Sequence, residues 1–430
     1  MRAMHYVSTR DPSPRATLSE AIARGIAPDG GLYVPSAFPS FAPGELGAGD
    51  DVPAIAARLL APFFAGDALA PALPEICREA LSFPLPLKML ARRTAVLELF
   101  HGPTAAFKDV GARFLAACLA RIATDDARPL TLLVATSGDT GGAVAAAFHG
   151  RTGIEVVILF PKGMVSPRQQ RQLTCWGGNV RAFAVRGDFD ACQRMAKEAF
   201  ADASLRAERR LSSANSINVG RLLPQMVPYA VASLAYVRER GAAPGFIVPT
   251  GNVGNSAAAM WARRVGLPVR EVVLATNANR TVADFAAGGG WEGAPTVPTL
   301  ASAMDVGRPS NLERVLHLFG GADAARGELR SFVVSDDEIR DEIRRGEAEW
   351  GEVWDPHTAT AAAVRRRVEG DDWVLVSTAH PAKFESVVEP LVGHRVPVPP
   401  ALAALLDRPS HFTEIDADLE ALRTALHASG

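Results

Sequence analysis

No apolar stretch in the 430 residues approaches the ~18 positions that a membrane-spanning helix needs. The N-terminus has no signal-peptide core, so a soluble, cytoplasmic protein is expected. Cysteine is scarce and scattered. Cys77, Cys118, Cys175 and Cys192 form no C-x-x-C pair, which argues against a zinc or disulfide framework and for reduced, mostly buried thiols. Neither sign of charge is in excess: a formal net charge of -2 leaves no footprint for nucleic acid or for an acidic membrane surface. H-E-x-x-H, G-x-S-x-G and metal-ligand spacings are absent, so no metal is expected. Internal repeats and low-complexity tracts are missing as well.

What is present is an alternation. Short apolar runs at Leu130–Ala135, Ile154–Phe160, Val180–Val185, Phe246–Val248, Val272–Ala275 and Trp373–Val376 are separated by helix-like patterns. Continuous apolar runs are the mark of parallel strands buried on both faces, and their alternation with helices predicts α/β layers. The length predicts two or three domains. Residues 1 to about 45 are polar and turn-rich and read as an ordered surface segment; 52 to 82 read as Ala-rich helix broken by Pro62, Pro71 and Pro74; 83–94 read as a junction. Ser335-Asp336-Asp337-Glu338 is a capping box opening a helix over Asp336–Arg345.

In such sheets ligands gather at the carboxyl ends of strands, so the residues after each run carry the argument. After Ala95–Phe100 comes His101-Gly102-Pro103-Thr104-Ala105-Ala106-Phe107-Lys108-Asp109, which places Lys108 where a loop enters a helix. A lysine withdrawn from solvent there loses its proton more readily, as a Schiff-base nucleophile must; a snorkelling surface lysine is the plain alternative. After Ala135, Thr136-Ser137-Gly138-Asp139-Thr140 is either an anion-binding helix start or an ordinary cap. After Val248, Gly251-Asn252-Val253-Gly254-Asn255 can wrap one phosphate, without the endings of a Walker loop or a dinucleotide fingerprint. Thr378 ends a strand and offers a hydroxyl, His380 before Pro381 reads as a structural hydrogen-bonder, and Asn215, Ser216 and Arg221 cluster amide, hydroxyl and guanidinium. Together these describe a pyridoxal phosphate site.

The combination His101–Asp109, Thr136–Thr140, Asn215–Arg221, Gly251–Asn255 and Ser377–Phe384, with the leading Tyr6–Arg10 and Ala27–Pro35 and the stretch Leu300–Val306, closely resembles the threonine synthase family over essentially the whole chain. The resemblance implies a fold-type II pyridoxal phosphate enzyme of two parallel-sheet α/β subdomains with the site in the cleft. It implies a family-specific N-terminal segment over 1–82 and a catalytic region over 83–430, the smaller subdomain running approximately 110–215 and the larger formed by the remainder. It implies that Lys108 carries the cofactor, that Gly251, Asn252, Val253, Gly254 and Asn255 hold its phosphate, and that Thr378 meets the pyridine nitrogen. The implied substrate is O-phosphohomoserine, its carboxylate on Thr136, Ser137, Gly138 and Thr140, its phosphate on Thr140, Asn215, Ser216 and Arg221. Loss of phosphate and addition of water would then give threonine, in a monomer or homodimer. Asp139, where many fold-type II relatives carry Asn, would lie beside the ring hydroxyl, and the like charges predict a shared proton and a raised pKa. A dehydratase or lyase on the same fold, and a non-catalytic sensor of phosphorylated metabolites, are the rival readings.

Overall fold

The apolar runs fold as strands, and in chain order the strands are β1 (Tyr6–Ser8), β2 (Tyr33–Pro35), β3 (Leu87–Met89), β4 (Thr94–Glu98), β5 (Leu130–Ala135), β6 (Ile154–Pro161), β7 (Val180–Arg186), β8 (Arg210–Ser212), β9 (Gly245–Pro249), β10 (Val272–Thr276), β11 (Arg330–Val333), β12 (Trp373–Ser377) and β13 (Thr413–Asp416). The computed structural model describes residues 3–42, 44–47, 51–122, 126, 128–136 and 138–428. A six-stranded sheet runs β11-β10-β9-β12-β4-β3 and a five-stranded sheet β13-β7-β6-β5-β8. All neighbours are parallel except β3 against β4. The buried residues of β9, β10 and β12 leave no polar face, as sheets covered by helices on both sides require. The capping box at Ser335 opens a helix, Asp336–Trp350.

Two expectations fail. The N-terminal residues are not a surface segment. Tyr6, Leu18, Ala21 and Ile22 are fully buried in the same core as Phe114 and Leu115, and the Tyr6 hydroxyl donates to Phe63 O at 2.9 Å. Polar turns between them hid the few apolar anchors. Phe38 of this segment meets Trp261 edge-on at 5.2 Å, bracing the helix Gly254–Arg264. The second failure is at the other end of the chain. β13 pairs with β7 in the five-stranded sheet instead of joining the larger unit, and Ile415, Leu422 and Leu426 pack into that sheet's outer core.

Candidate active site

In the larger sheet β9, β12 and β4 are neighbours, so the turns that follow them converge. The turn after β4 delivers Lys108 as the first residue of the helix Lys108–Leu119. Asp109 closes that turn by accepting from Thr104 N and Thr104 Oγ1, both at 2.8 Å. A Cβ on Gly102 would lie 2.4 Å from Asp109 Oδ2, so the closure requires glycine. Ala105 is held at φ 54°, a strained conformation for alanine. The strain is sustained by two cross-ties: Phe107 N donates to Thr378 O at 2.8 Å, and His380 N to Ala105 O at 3.0 Å. The lysine turn and the end of β12 are thus one rigid piece.

Lys108 opens onto a cleft of about 630 Å³, mouth included, which Thr378, Asp139, Ser216, Arg221 and the Gly251–Asn255 turn also line. By exposed area it is half-buried, because its side chain faces the cleft; the protein packed around it governs its proton affinity. Its amine lies 4.2 Å from the centre of the Phe107 ring and has no hydrogen-bond partner among the described residues. Burial, then the charge of Arg221, pull its pKa down to about 8, while Asp139 pulls the other way.

The turn after β9 runs into the helix Gly254–Arg264 through Val253 at φ 63°, a left-handed conformation unusual for a β-branched residue. Gly251 packs so closely that a Cβ would lie 2.6 Å from Met304 Cα. Tyr229 donates to Asn255 Oδ1 at 2.8 Å, which orients the amide and leaves Asn255 Nδ2 buried without a partner. A helix N-terminus with an orphaned donor fits an anion, and here a phosphate.

From the smaller sheet β5 delivers Asp139, at the head of the helix Asp139–Phe148. Thr136 Oγ1 accepts from Gly138 N at 3.0 Å and Gly141 N at 2.9 Å, so this hydroxyl shapes the turn. Thr136, Gly138, Thr140 and Asn215 stand outside the lining of the cleft, and Ser137 lies outside the described residues. Arg221 is buried; it donates to Ala214 O and keeps Nε without a partner. Burial lowers its pKa to about 10. Ser216 Oγ accepts from Asn252 Nδ2 at 2.8 Å and Asn311 Nδ2 at 3.2 Å, which leaves its own proton to give. The raised Asp139 pKa expected from the sequence is not found in the protein alone. Burial pushes the carboxyl up, but Lys383, His357 and Gln169 outweigh it and hold the carboxyl low.

Several contributors escaped the sequence reading. His357 lines the cleft; Asp355 Oδ1 takes its Nδ1 at 2.7 Å, and Ala303 N donates to its Nε2 at 3.1 Å, so it braces the wall that carries Met304. Asp355-Pro356-His357 is a helix N-cap with proline at N1, a signal visible in the sequence. His380 accepts from Ala382 N at 3.2 Å and burial lowers its pKa to about 4, so it is the structural hydrogen-bonder expected. Arg314, fully buried, grips Asn311 Oδ1 and the carbonyls of Tyr33, Ser216 and Ile217.

A half-buried lysine with a lowered proton affinity and an anion-binding turn at the ends of parallel strands define a pyridoxal-phosphate-dependent enzyme, and the family model described as "Pyridoxal-phosphate dependent enzyme" matches residues 88–379. Models for the threonine synthase N terminus and C-terminal region match 5–81 and 358–426. The chain belongs to the threonine synthase family. It is 39% identical over 427 residues to threonine synthase of Serratia marcescens, covering 98% of this chain and 99% of that one. The crystal structure of threonine synthase from Escherichia coli superposes with a TM-score of 0.92 at 38% identity, covering 98% and 99% of the two chains. The PLP-bound enzyme from Brucella melitensis gives 0.90 at 36% identity, covering 99% of each.

Proposed function

We propose that this chain converts O-phospho-L-homoserine and water into L-threonine and phosphate, with Lys108 carrying the cofactor. The observation that carries the reading is the Lys108 amine, its pKa lowered to about 8, opening onto the same cleft as the phosphate-sized turn at 251–255. Pyridoxal phosphate, when bound, supplies an electron sink for charge developing on the substrate carbons. The remaining work belongs to the chain. Lys108 Nζ accepts and returns protons at the α and β carbons, a task suited to a group poised near neutral pH. Gly251, Asn252, Val253, Gly254 and Asn255 hold the cofactor phosphate, with Asn255 Nδ2 as a ready donor. Thr378 would offer the pyridine nitrogen a neutral hydroxyl, and Asp139 would lie beside the ring oxygen.

For the substrate carboxylate the reading takes Thr136, Ser137, Gly138 and Thr140, the Thr136 hydroxyl holding Gly138 N and Gly141 N in place. Arg221 Nε and the Ser216 hydroxyl, with Thr140 and Asn215, would take the substrate phosphate. A monomer or a homodimer is the oligomeric state proposed. Four free, buried cysteines suit a reducing cytoplasm. Among the described residues no helix is long and apolar enough to cross a membrane. The test is to supply O-phosphohomoserine and quantify the products. Threonine and phosphate in equal amounts are expected. 2-Oxobutyrate as the main product would replace the reading with the lyase, and no turnover with no visible absorption band would leave the sensor.

A further inference from the structure

Lys383 is fully buried, and its ammonium meets two oxygens: Asp139 Oδ1 at 2.8 Å and Thr104 O at 2.9 Å. Gln169 Nε2 donates to the same Asp139 oxygen at 3.1 Å. Among the described residues no donor reaches Asp139 Oδ2, and Asp139 lines the cleft beside Lys108. One carboxylate oxygen is therefore tied to a cation behind the wall, and the other is left for the cleft. The ammonium is not needed to dock its own segment. Lys383 N donates to His380 O at 3.0 Å, Ser166 Oγ donates to Lys383 O at 2.9 Å, and Arg168 donates to Ala382 O.

We propose that Lys383 is a positioning residue that keeps Asp139 ionised at the cleft and, through that fixed negative charge, sets the proton affinity of the Lys108 nitrogen. The proposal rests on the placing of Lys108 as the cofactor lysine and goes one step past it. Three observations support it. Burial favours the neutral Asp139 carboxyl, and Lys383 is the foremost influence opposing burial. Asp139 in turn favours the charged form of Lys108 against burial and Arg221. No other cation on the segment can replace Lys383, since His380 has its pKa lowered to about 4. The remaining titratable groups facing the pair are His357, whose ring is held by Asp355 and Ala303 N, and Asp109, which itself feels Lys383 and Arg113. With Lys383 removed, desolvation wins and Asp139 takes up a proton.

The test compares the unaltered protein with Lys383→Met, Lys383→Arg, Asp139→Asn and the double variant Lys383→Met/Asp139→Asn. Each is titrated twice: by the visible band of the cofactor-loaded protein, and by the pH dependence of acylation of Lys108 in the cofactor-free full chain, read by mass spectrometry. Asp139→Asn should lower the midpoint by about one pH unit. Lys383→Met should lower it in the same direction and by a similar amount, and should add nothing in the Asp139→Asn background. Lys383→Arg, which keeps the charge, should stay near the unaltered midpoint. An unchanged or raised midpoint in folded Lys383→Met, or equal shifts from Lys383→Met with and without Asp139, overturns the proposal. If Lys383→Met does not fold, Lys383→Arg decides: an unaltered midpoint supports the proposal and an Asp139→Asn-like midpoint overturns it. If the loaded protein shows no visible band on Lys108, the cofactor assignment fails, and the acylation titration still reads the effect of Lys383 on Lys108.

Discussion

Lys108 illustrates what burial costs a functional residue. Its folded pKa of about 8 lies below the ~10.4 of a free lysine, so between those values the unfolded chain binds a proton that the folded chain does not. The resulting penalty is full below pH 8 and disappears as pH rises past the unfolded value. Lys108→Met in the cofactor-free protein should therefore be more stable at pH 7 by roughly 1–3 kcal/mol, and by little at pH 11. Urea unfolding at both pH values measures this; equal gains would contradict it. The same variant should make no threonine. Gly251→Ala tests the opposite wall: its Cβ would collide with Met304 Cα, so the turn must open. We expect cofactor affinity to fall at least tenfold, about 1.4 kcal/mol or more, with far-UV circular dichroism unchanged. The type and place of Lys108 were legible from a loop entering a helix. The partner of Asp139 was not, because Lys383 lies 244 positions away and only the fold brings the two ammonium and carboxylate groups together.

At the level of elements, the strands that were legible are those buried on both faces, where apolar runs leave no ambiguity. β13 was not, since its burial pattern has a single buried residue, Ile415, and three exposed ones. An edge strand with one anchored side chain has little apolar signature, and its pairing is set by β7. The capping box at Ser335 was readable because it is entirely local. Ser335 Oγ accepts from Glu338 N, and the Glu338 carboxylate returns to Ser335 N at 2.9 Å. Ser335→Ala should cost about 1 kcal/mol of stability in thermal unfolding, with kcat/KM for O-phosphohomoserine unaltered, because the helix end lies away from the cleft lining.

On the scale of the whole molecule, one buried guanidinium joins three distant parts of the chain. Arg314 holds the carbonyl of Tyr33 from the N-terminal segment, those of Ser216 and Ile217 after β8, and the side chain of Asn311, which itself donates to Asn252 O at 3.1 Å and to Ser216 Oγ. Arg314→Met would leave those carbonyls buried and unpaired, costing about 2–4 kcal/mol, and should raise KM for O-phosphohomoserine more than it lowers kcat, since Ser216 loses its support. An unaltered KM in a destabilised variant would show that the link is purely structural. The sequence by itself determined the strands buried on both faces, the places where turns follow them and the residue chemistry offered there, because period, capping and glycine placement act over a few residues. The tertiary structure alone decided that the N-terminal segment is core, that β13 closes the smaller sheet, and that Lys383 and Arg314 stand behind the site. Those facts depend on a few apolar anchors, a sheet edge and two buried charges finding partners far along the chain, and the burial that makes such partners necessary exists only once the chain has folded.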